Sequence, residues 1–281
     1  MPLVKIKDDF DLKKIADCGQ CFRAKEISDG VYRFITVDHF IDIQKVDEIS
    51  YRISCSSAEW DMIWSKYFDL ETNYAEIRKE IINFGENKSF GEYLKNAIEC
   101  GKGIRILRQD PFETLISFII SQRKTIPAIR STVELLCDTY GKDVSAADGS
   151  VVKFFPKVDD LCKISTFNLS QLSLGYRSSY VRDALERVKG LVIALDDLYA
   201  SNDEDLLDTL KTIRGVGDKI AACVALYAYH RFACVPVDVW IKRAIKEDFN
   251  GENVFVEFGS LAGVLQQYIF YYKRFGERAL I

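Results

Sequence analysis

Hydrophobic and polar residues alternate through the first fifty-odd positions. VYRFITVDHFIDIQKV (31–46) and SYRISC (50–55) put an apolar side chain at about every second residue, the period of a half-buried strand, and SDG (28–30) is a turn signature between runs. This part is expected to be an antiparallel sheet. A helical pattern begins near AEWDMIWSKYF (58–68), and beyond about residue 72 almost every segment repeats its apolar positions at helical spacing with polar residues between. The expected fold class is therefore α+β. An N-terminal antiparallel sheet domain with flanking helices is expected over residues 1–100 and an all-helical domain over 101–281, divided at CGKGIR (100–105), where two glycines separate patterned segments. Internal repeats and low-complexity segments are absent.

One short stretch predicts a helix, a very tight turn and a second helix. Asn202 is an N-cap candidate followed by Asp203, Glu204 and Asp205, acids that favour the positive end of a helix, and Leu206, Leu207, Leu210 and Ile213 form the apolar stripe. The chain then turns through Gly215-Val216-Gly217 and enters a second helix at about Asp218. Two glycines around one apolar residue let backbone approach a ligand, and the helix N-terminus behind them offers unpaired N–H groups, so this hairpin can hold a phosphate or serve only as a turn. A Rossmann reading is weak, because Ile220 stands where the fingerprint's third glycine belongs and the glycines follow a helix. Lys219 lies in the first turn of the second helix beside Ile220, Ala221 and Ala222. The helix dipole and the apolar neighbours both favour the free amine, which makes it a candidate nucleophile; a phosphate contact or a solvent-exposed side chain fits the same position. Cys223, four residues on, shares its helix face. In ACVPVDVWIKRAI (233–245) the proline holds the chain extended and Asp238 precedes a new helical pattern, so Asp238 is expected to be an N-cap whose carboxylate can also face a cleft.

Composition narrows the class without naming a chemistry. Of the 281 residues 48% are hydrophobic and 28% charged, which suits a globular protein, and no window approaches twenty uninterrupted apolar residues. The opening MPLVKIKDDFDLKK lacks the apolar core of a signal peptide, so a cytoplasmic location is expected. Eight scattered cysteines then read as reduced thiols, and Cys18 with Cys21, having no second pair at zinc spacing, as local packing. The net charge of −4 hides two cationic stretches: Lys102, Arg105, Arg108, Arg123, Lys124 and Arg130 against Asp110 and Glu113, and again from Lys211 to Arg243. Both suit a polyanion held on one face, or solvated helix surfaces.

GVGDKIAAC (215–223), with the aspartate of VPVDV nineteen positions after its lysine, resembles the 8-oxoguanine DNA glycosylases of the helix-hairpin-helix superfamily. CGQCFR (18–23), ILRQDPFETLISFIIS (106–121), LGYRSSYV (174–181) and AGVLQQYIF (262–270) resemble the same branch, so the likeness covers nearly the whole chain. The resemblance implies a bifunctional glycosylase and β-lyase of base excision repair, acting on 8-oxoguanine in double-stranded DNA. Lys219 would be the Schiff-base nucleophile and Asp238 the carboxylate that stabilises the cationic sugar. Gly19 would read the N7–H of the lesion, Gln266 its Watson–Crick edge, and Phe270 and Cys223 would sandwich it, with Pro236 lining the pocket. Gly215, Val216 and Gly217 would grip backbone phosphate, with a monovalent cation there, and Tyr176 would wedge into the opened duplex.

No cofactor is implied, and no iron–sulfur cluster, since no four-cysteine run follows the hairpin. The expected protein is a monomer, nucleoid-associated if bacterial. Three departures from human-type members bear on the DNA contacts: Gln122-Arg123-Lys124 replaces the asparagines that read the orphaned cytosine, Ala128 replaces an arginine, and Trp240 replaces a histidine near the lesion's phosphate. Excision of another oxidised or alkylated base, and non-catalytic DNA binding through the hairpin, are the competing readings.

Overall fold

The structure is a computed structural model that describes residues 1–276. Strands β1 (Leu3–Lys5), β2 (Lys25–Ser28), β3 (Val31–Thr36), β4 (His39–Lys45) and β5 (Ser50–Ile53) form an antiparallel sheet in the order β1-β5-β4-β3-β2. Strand β3 departs from simple alternation because both of its faces are covered. Tyr32 and Phe34 enter the sheet's own core, while Ile35 packs against Val152 and Phe154 at a second, two-stranded ribbon, β6 (Asp143–Ser145) with β7 (Val151–Lys153). That ribbon interrupts the helical part and was not expected from the sequence. Arg33, buried in β3, stays paired: its Nε and Nη2 donate to the two carboxylate oxygens of Asp42, directly opposite on β4, at 2.6 and 2.7 Å. The sheet core closes on Phe68, which meets Phe10 and Phe34 edge-on with centroids 5.2 and 5.0 Å apart, and on Trp60 and Trp64 from the helical stretch 57–67.

The remaining body is helical: α1 (Leu12–Asp17), α2 (Tyr74–Gly85), α3 (Gly91–Gly101), α4 (Pro111–Ile120), α5 (Ile126–Tyr140), α6 (Arg177–Lys189), α7 (Asp203–Lys211), α8 (Asp218–Tyr227), α9 (Val239–Glu247) and α10 (Ala262–Tyr271), with shorter turns between them. Tyr74 and Ile81 of α2 and Leu94 and Ala97 of α3 belong to the helical core, and α3 lies against α10. All ten residues of α10 are buried, which makes it the axis of this core. No helix among the described residues is long and apolar enough to cross a membrane.

Sheet and helices are joined by a polar knot. Arg105, 1% exposed, donates to the carbonyls of Phe68, Asp69 and Thr72 and lies 4.3 Å above the Tyr74 ring. The Asp69 carboxylate accepts from Tyr74 Oη at 2.8 Å and meets Arg108 and His230 at 2.9 Å each. Burial pushes the Asp69 carboxyl up, but the hydrogen bond and charge of His230, with the bond from Tyr74, outweigh it and hold the group at about 2. Its folded value thus lies below the ordinary one, so the stability it contributes is present above pH 4 and lost as the pH falls from about 4 to about 2. Asp69→Asn is expected to lower stability at pH 7 by roughly 2 kcal/mol and to flatten the decline below pH 4, as measured by urea unfolding at both pH values.

Candidate active site

The hairpin is built as its sequence suggests. Asn202 Oδ1 accepts the Asp205 N–H at 2.9 Å and caps α7, and α8 starts at Asp218 with Gly217 as its N-cap. The two glycines serve different needs. Gly215 has φ +83° and a Cβ there would lie 2.3 Å from the Tyr180 ring, so the fold itself requires it. Gly217 is extended, and a Cβ on it would meet nothing within 4 Å. Packing explains Gly215; the open space beside Gly217 is room for a group from outside the chain.

Lys219 is half-buried in the first turn of α8, its Nζ 5.1 Å from the centroid of the Phe118 ring. Asp238 caps α9: Oδ1 accepts the N–H groups of Trp240 at 2.9 Å and Ile241 at 3.0 Å. Burial raises the Asp238 carboxyl above the usual carboxylate range, and the bond from Ile241, the Lys219 charge and the bond from Trp240 only moderate the rise. Cys223 is 2% exposed, and burial pushes its thiol up to about 11, so it stays protonated and acts as an apolar wall, not a rival nucleophile.

These groups converge on one cavity of about 420 Å³. Its lining includes Gly19, Lys219, Cys223, Pro236, Asp238, Trp240, Gln266 and Phe270, eight of the residues singled out from the sequence. Gly19 has φ +81°, and a Cβ there would lie 2.9 Å from Ile126 Cδ1 and 3.3 Å from the Phe270 ring, so its backbone passes the wall where a side chain cannot. Gln266 is 2% exposed and its Oε1 is buried with no hydrogen-bond partner among the described residues. Such a group costs free energy unless something docks against it.

Gly215, Val216, Gly217, Tyr176 and Arg123 are not in the cavity lining. Tyr176 is 49% exposed, with the Arg177 guanidinium 4.5 Å above its ring. Arg123 is exposed and held at φ +51°, uncommon for a side chain of this size. The loops carrying these two residues are laced together: Lys124 Nζ donates to Ser173 O at 2.9 Å, and Arg177 Nε donates to Gln122 O at 2.8 Å.

Phe22, Phe118, Lys124, Ile126, Tyr227 and Arg274 also line the cavity and were not picked out as site residues from the sequence. Phe118, Ile126 and Tyr227 belong to ordinary helical stripes, where nothing local separates a cavity wall from a core position. A larger cavity, about 610 Å³, lies at the N-terminal end of α4 around Phe112, Glu113 and Phe155 and contains none of the residues singled out from the sequence.

Residues 3–115 match the family model of the 8-oxoguanine DNA glycosylase N-terminal domain. The N-glycosylase/DNA lyase of Saccharomyces cerevisiae is 36% identical over 162 residues, 53% of this chain and 42% of the yeast protein, so the match spans less than half of that relative. The solved structure of MBOgg1 in complex with a low-affinity DNA ligand superposes with a TM-score of 0.90 at 34% identity, covering 97% of this chain and 94% of that one. The Clostridium acetobutylicum 8-oxoguanine glycosylase/lyase, in complex with double-stranded DNA containing cytosine opposite 8-oxoguanine, superposes with a TM-score of 0.88 at 33% identity over 99% of both chains. On fold, full-length identity and the N-terminal domain match together, the chain belongs to the 8-oxoguanine DNA glycosylase family.

Proposed function

We propose that this protein is a bifunctional DNA glycosylase and β-lyase that removes 8-oxoguanine from double-stranded DNA. The observation that carries the reading is the meeting, around one cavity, of a lysine amine, a buried cap carboxylate and an unpaired buried amide oxygen. The damaged nucleotide swings out of the duplex, at an unstacking cost of a few kcal/mol, and its base enters between Phe270 and Cys223 beside Pro236. At N7, 8-oxoguanine carries a hydrogen and guanine a lone pair, so the Gly19 carbonyl oxygen attracts the first and repels the second. Gln266 Oε1 accepts an N–H of the Watson–Crick edge. The Lys219 nitrogen then attacks C1′; the glycosidic bond breaks, its electron pair leaves with the base, and the Asp238 carboxylate stabilises the positive charge on the sugar. Sugar ring opening yields an imine between Lys219 and C1′. Loss of a C2′ proton expels the 3′ phosphate and nicks the strand, and hydrolysis of the imine frees the lysine.

The open backbone at Gly215-Val216-Gly217 and the N-terminus of α8 suit a backbone phosphate, and a monovalent cation held at this hairpin would supply further positive charge to it. Among the described residues no group of His, Cys, Asp and Glu side chains is arranged to hold a metal ion. No further cofactor and no iron–sulfur cluster is assigned. Tyr176 is read as the wedge at the opened duplex and Trp240 as a flank of the lesion's phosphate. The protein is read as a monomer working on cytoplasmic DNA, in the nucleoid if the source is bacterial.

Incubation with duplexes carrying 8-oxoguanine, an alkylated purine or an oxidised pyrimidine tests this reading. Release of 8-oxoguanine with a nick is expected; release of another base instead, or tight binding to the lesion with no cleavage, overturns it. Arg123 is read as a phosphate contact. Arg123→Ala should weaken binding to damaged and undamaged duplex alike and reduce the slope of log affinity against log salt by about one, measured by fluorescence anisotropy across a salt series.

A further inference from the structure

Around Gly19 the backbone carbonyls are handled one by one. Ala16 O accepts from Arg130 Nη2, Asp17 O from Arg274 Nη1 at 3.2 Å, Cys18 O from Gln267 Nε2 at 2.8 Å, and Gln20 O from Gln109 Nε2 at 2.8 Å. Gly19 O takes no hydrogen bond from any described residue. Four side chains from separate parts of the chain thus occupy the neighbouring carbonyls and leave free that of Gly19, a residue of the cavity wall.

A glycine has the widest backbone freedom of any residue, so the aim of its carbonyl is set by the peptide planes on either side. The downstream plane is held by Gln20, which is fully buried: its Oε1 accepts the Leu107 N–H at 2.8 Å, its Nε2 donates to Arg105 O at 2.7 Å, and its own carbonyl is held by Gln109. The upstream plane, which carries Cys18 O, is held by the bond from Gln267. That amide has one orientation available: a carbonyl can only accept, so Nε2 must face Cys18 O, and Oε1 then accepts the Tyr227 hydroxyl at 2.6 Å. The Tyr227 ring stacks on Phe118 with centroids 5.6 Å apart and planes 18° off parallel, and the amine of Lys219 sits over Phe118.

We propose that Gln267 is a positioning residue for lesion discrimination: it locks the Cys18–Gly19 peptide so that the Gly19 carbonyl points into the cavity at the base's N7 edge. Gln266, its neighbour in sequence, touches the base; Gln267 acts through Gly19. The inference rests on the proposed 8-oxoguanine reading.

The test uses two variants, Gln267→Met, which keeps the volume without the donor, and Gln267→Glu, whose buried carboxyl donates only when protonated. Discrimination is read as the ratio of Kd for duplexes containing guanine and 8-oxoguanine, in a Lys219→Gln background so that the DNA stays intact. Nicking of a preformed abasic site, with Lys219 present, reports the rest of the active site in the same fold. Gln267→Met should reduce the ratio by roughly tenfold, the worth of one hydrogen bond, with abasic nicking within about twofold of wild type by the same reasoning. Gln267→Glu should regain discrimination as the pH is lowered towards 5. A parent protein with no preference for 8-oxoguanine overturns the functional reading itself. A parent with that preference and a Gln267→Met variant that matches it, or loses discrimination only in step with abasic nicking, overturns the positioning role.

Discussion

Lys219→Gln is expected to abolish covalent trapping: borohydride links the wild-type protein to an 8-oxoguanine duplex and leaves the variant unlinked. Glutamine has similar bulk and keeps polar contacts, but its amide nitrogen cannot form an imine, so both base release through C1′ attack and the β-elimination that follows are lost. Single-turnover excision should fall by at least roughly a thousandfold, the scale on which removal of a covalent nucleophile registers. Stability should move little, because Lys219 is half-buried and its contacts with the face of Phe118, 5.1 Å away, and with the Cys223 thiol are ones a glutamine side chain can in part keep. An adduct of equal yield from the variant would put the nucleophile elsewhere.

Asp238 answers to two demands that substitution can separate. Asn keeps the cap, since its side-chain oxygen can still accept from Trp240 and Ile241, whereas Ala removes it at a cost of about 1 kcal/mol. Both remove the charge. Excision is therefore expected to fall in both variants, by roughly a hundredfold to a thousandfold if the carboxylate stabilises a cationic transition state, while thermal unfolding distinguishes them. Because burial raises this carboxyl, the wild-type rate should decline on the acid side at a pH above the usual carboxylate range of about 4. Asp238→Asn should remove that limb. The same shift has a sign for stability: a carboxyl raised in the folded state favours folding when protonated and opposes it when charged, so the Asn variant should be no less stable than wild type at pH 7. An Asn variant with wild-type excision across the pH range would leave Asp238 as a cap alone.

Much of this chain is legible residue by residue. The caps Asn202 and Asp238, the glycine turn, strands β3 to β5 and the helical body follow from spacing and from side chains acting on backbone a few residues away. The ribbon β6–β7 escaped, because strands of three residues are too short to carry a period, and these are held by pairing with each other and by packing on Ile35 far up the chain. The site residues divide in the same way. Lys219 with Cys223, and Gln266 with Phe270, share helix faces by their spacing of four, so each pair is visible without a structure.

What the sequence by itself determined is the set of reactive groups and the local devices that present them: an amine at the start of α8, a carboxylate at the start of α9, and glycines where backbone must come close. Only the tertiary structure decided that Gly19 and Phe118 share a cavity with Lys219 and Asp238, that of two adjacent glutamines one faces this cavity and the other the backbone of Cys18, and that one carbonyl among five is left free. Local rules act over a turn of helix or a pair of strands. Cys18 and Gln267 are 249 residues apart, and the bond between them exists because packing an all-buried α10 against the loop leaves a polar side chain there no water and a single carbonyl to meet.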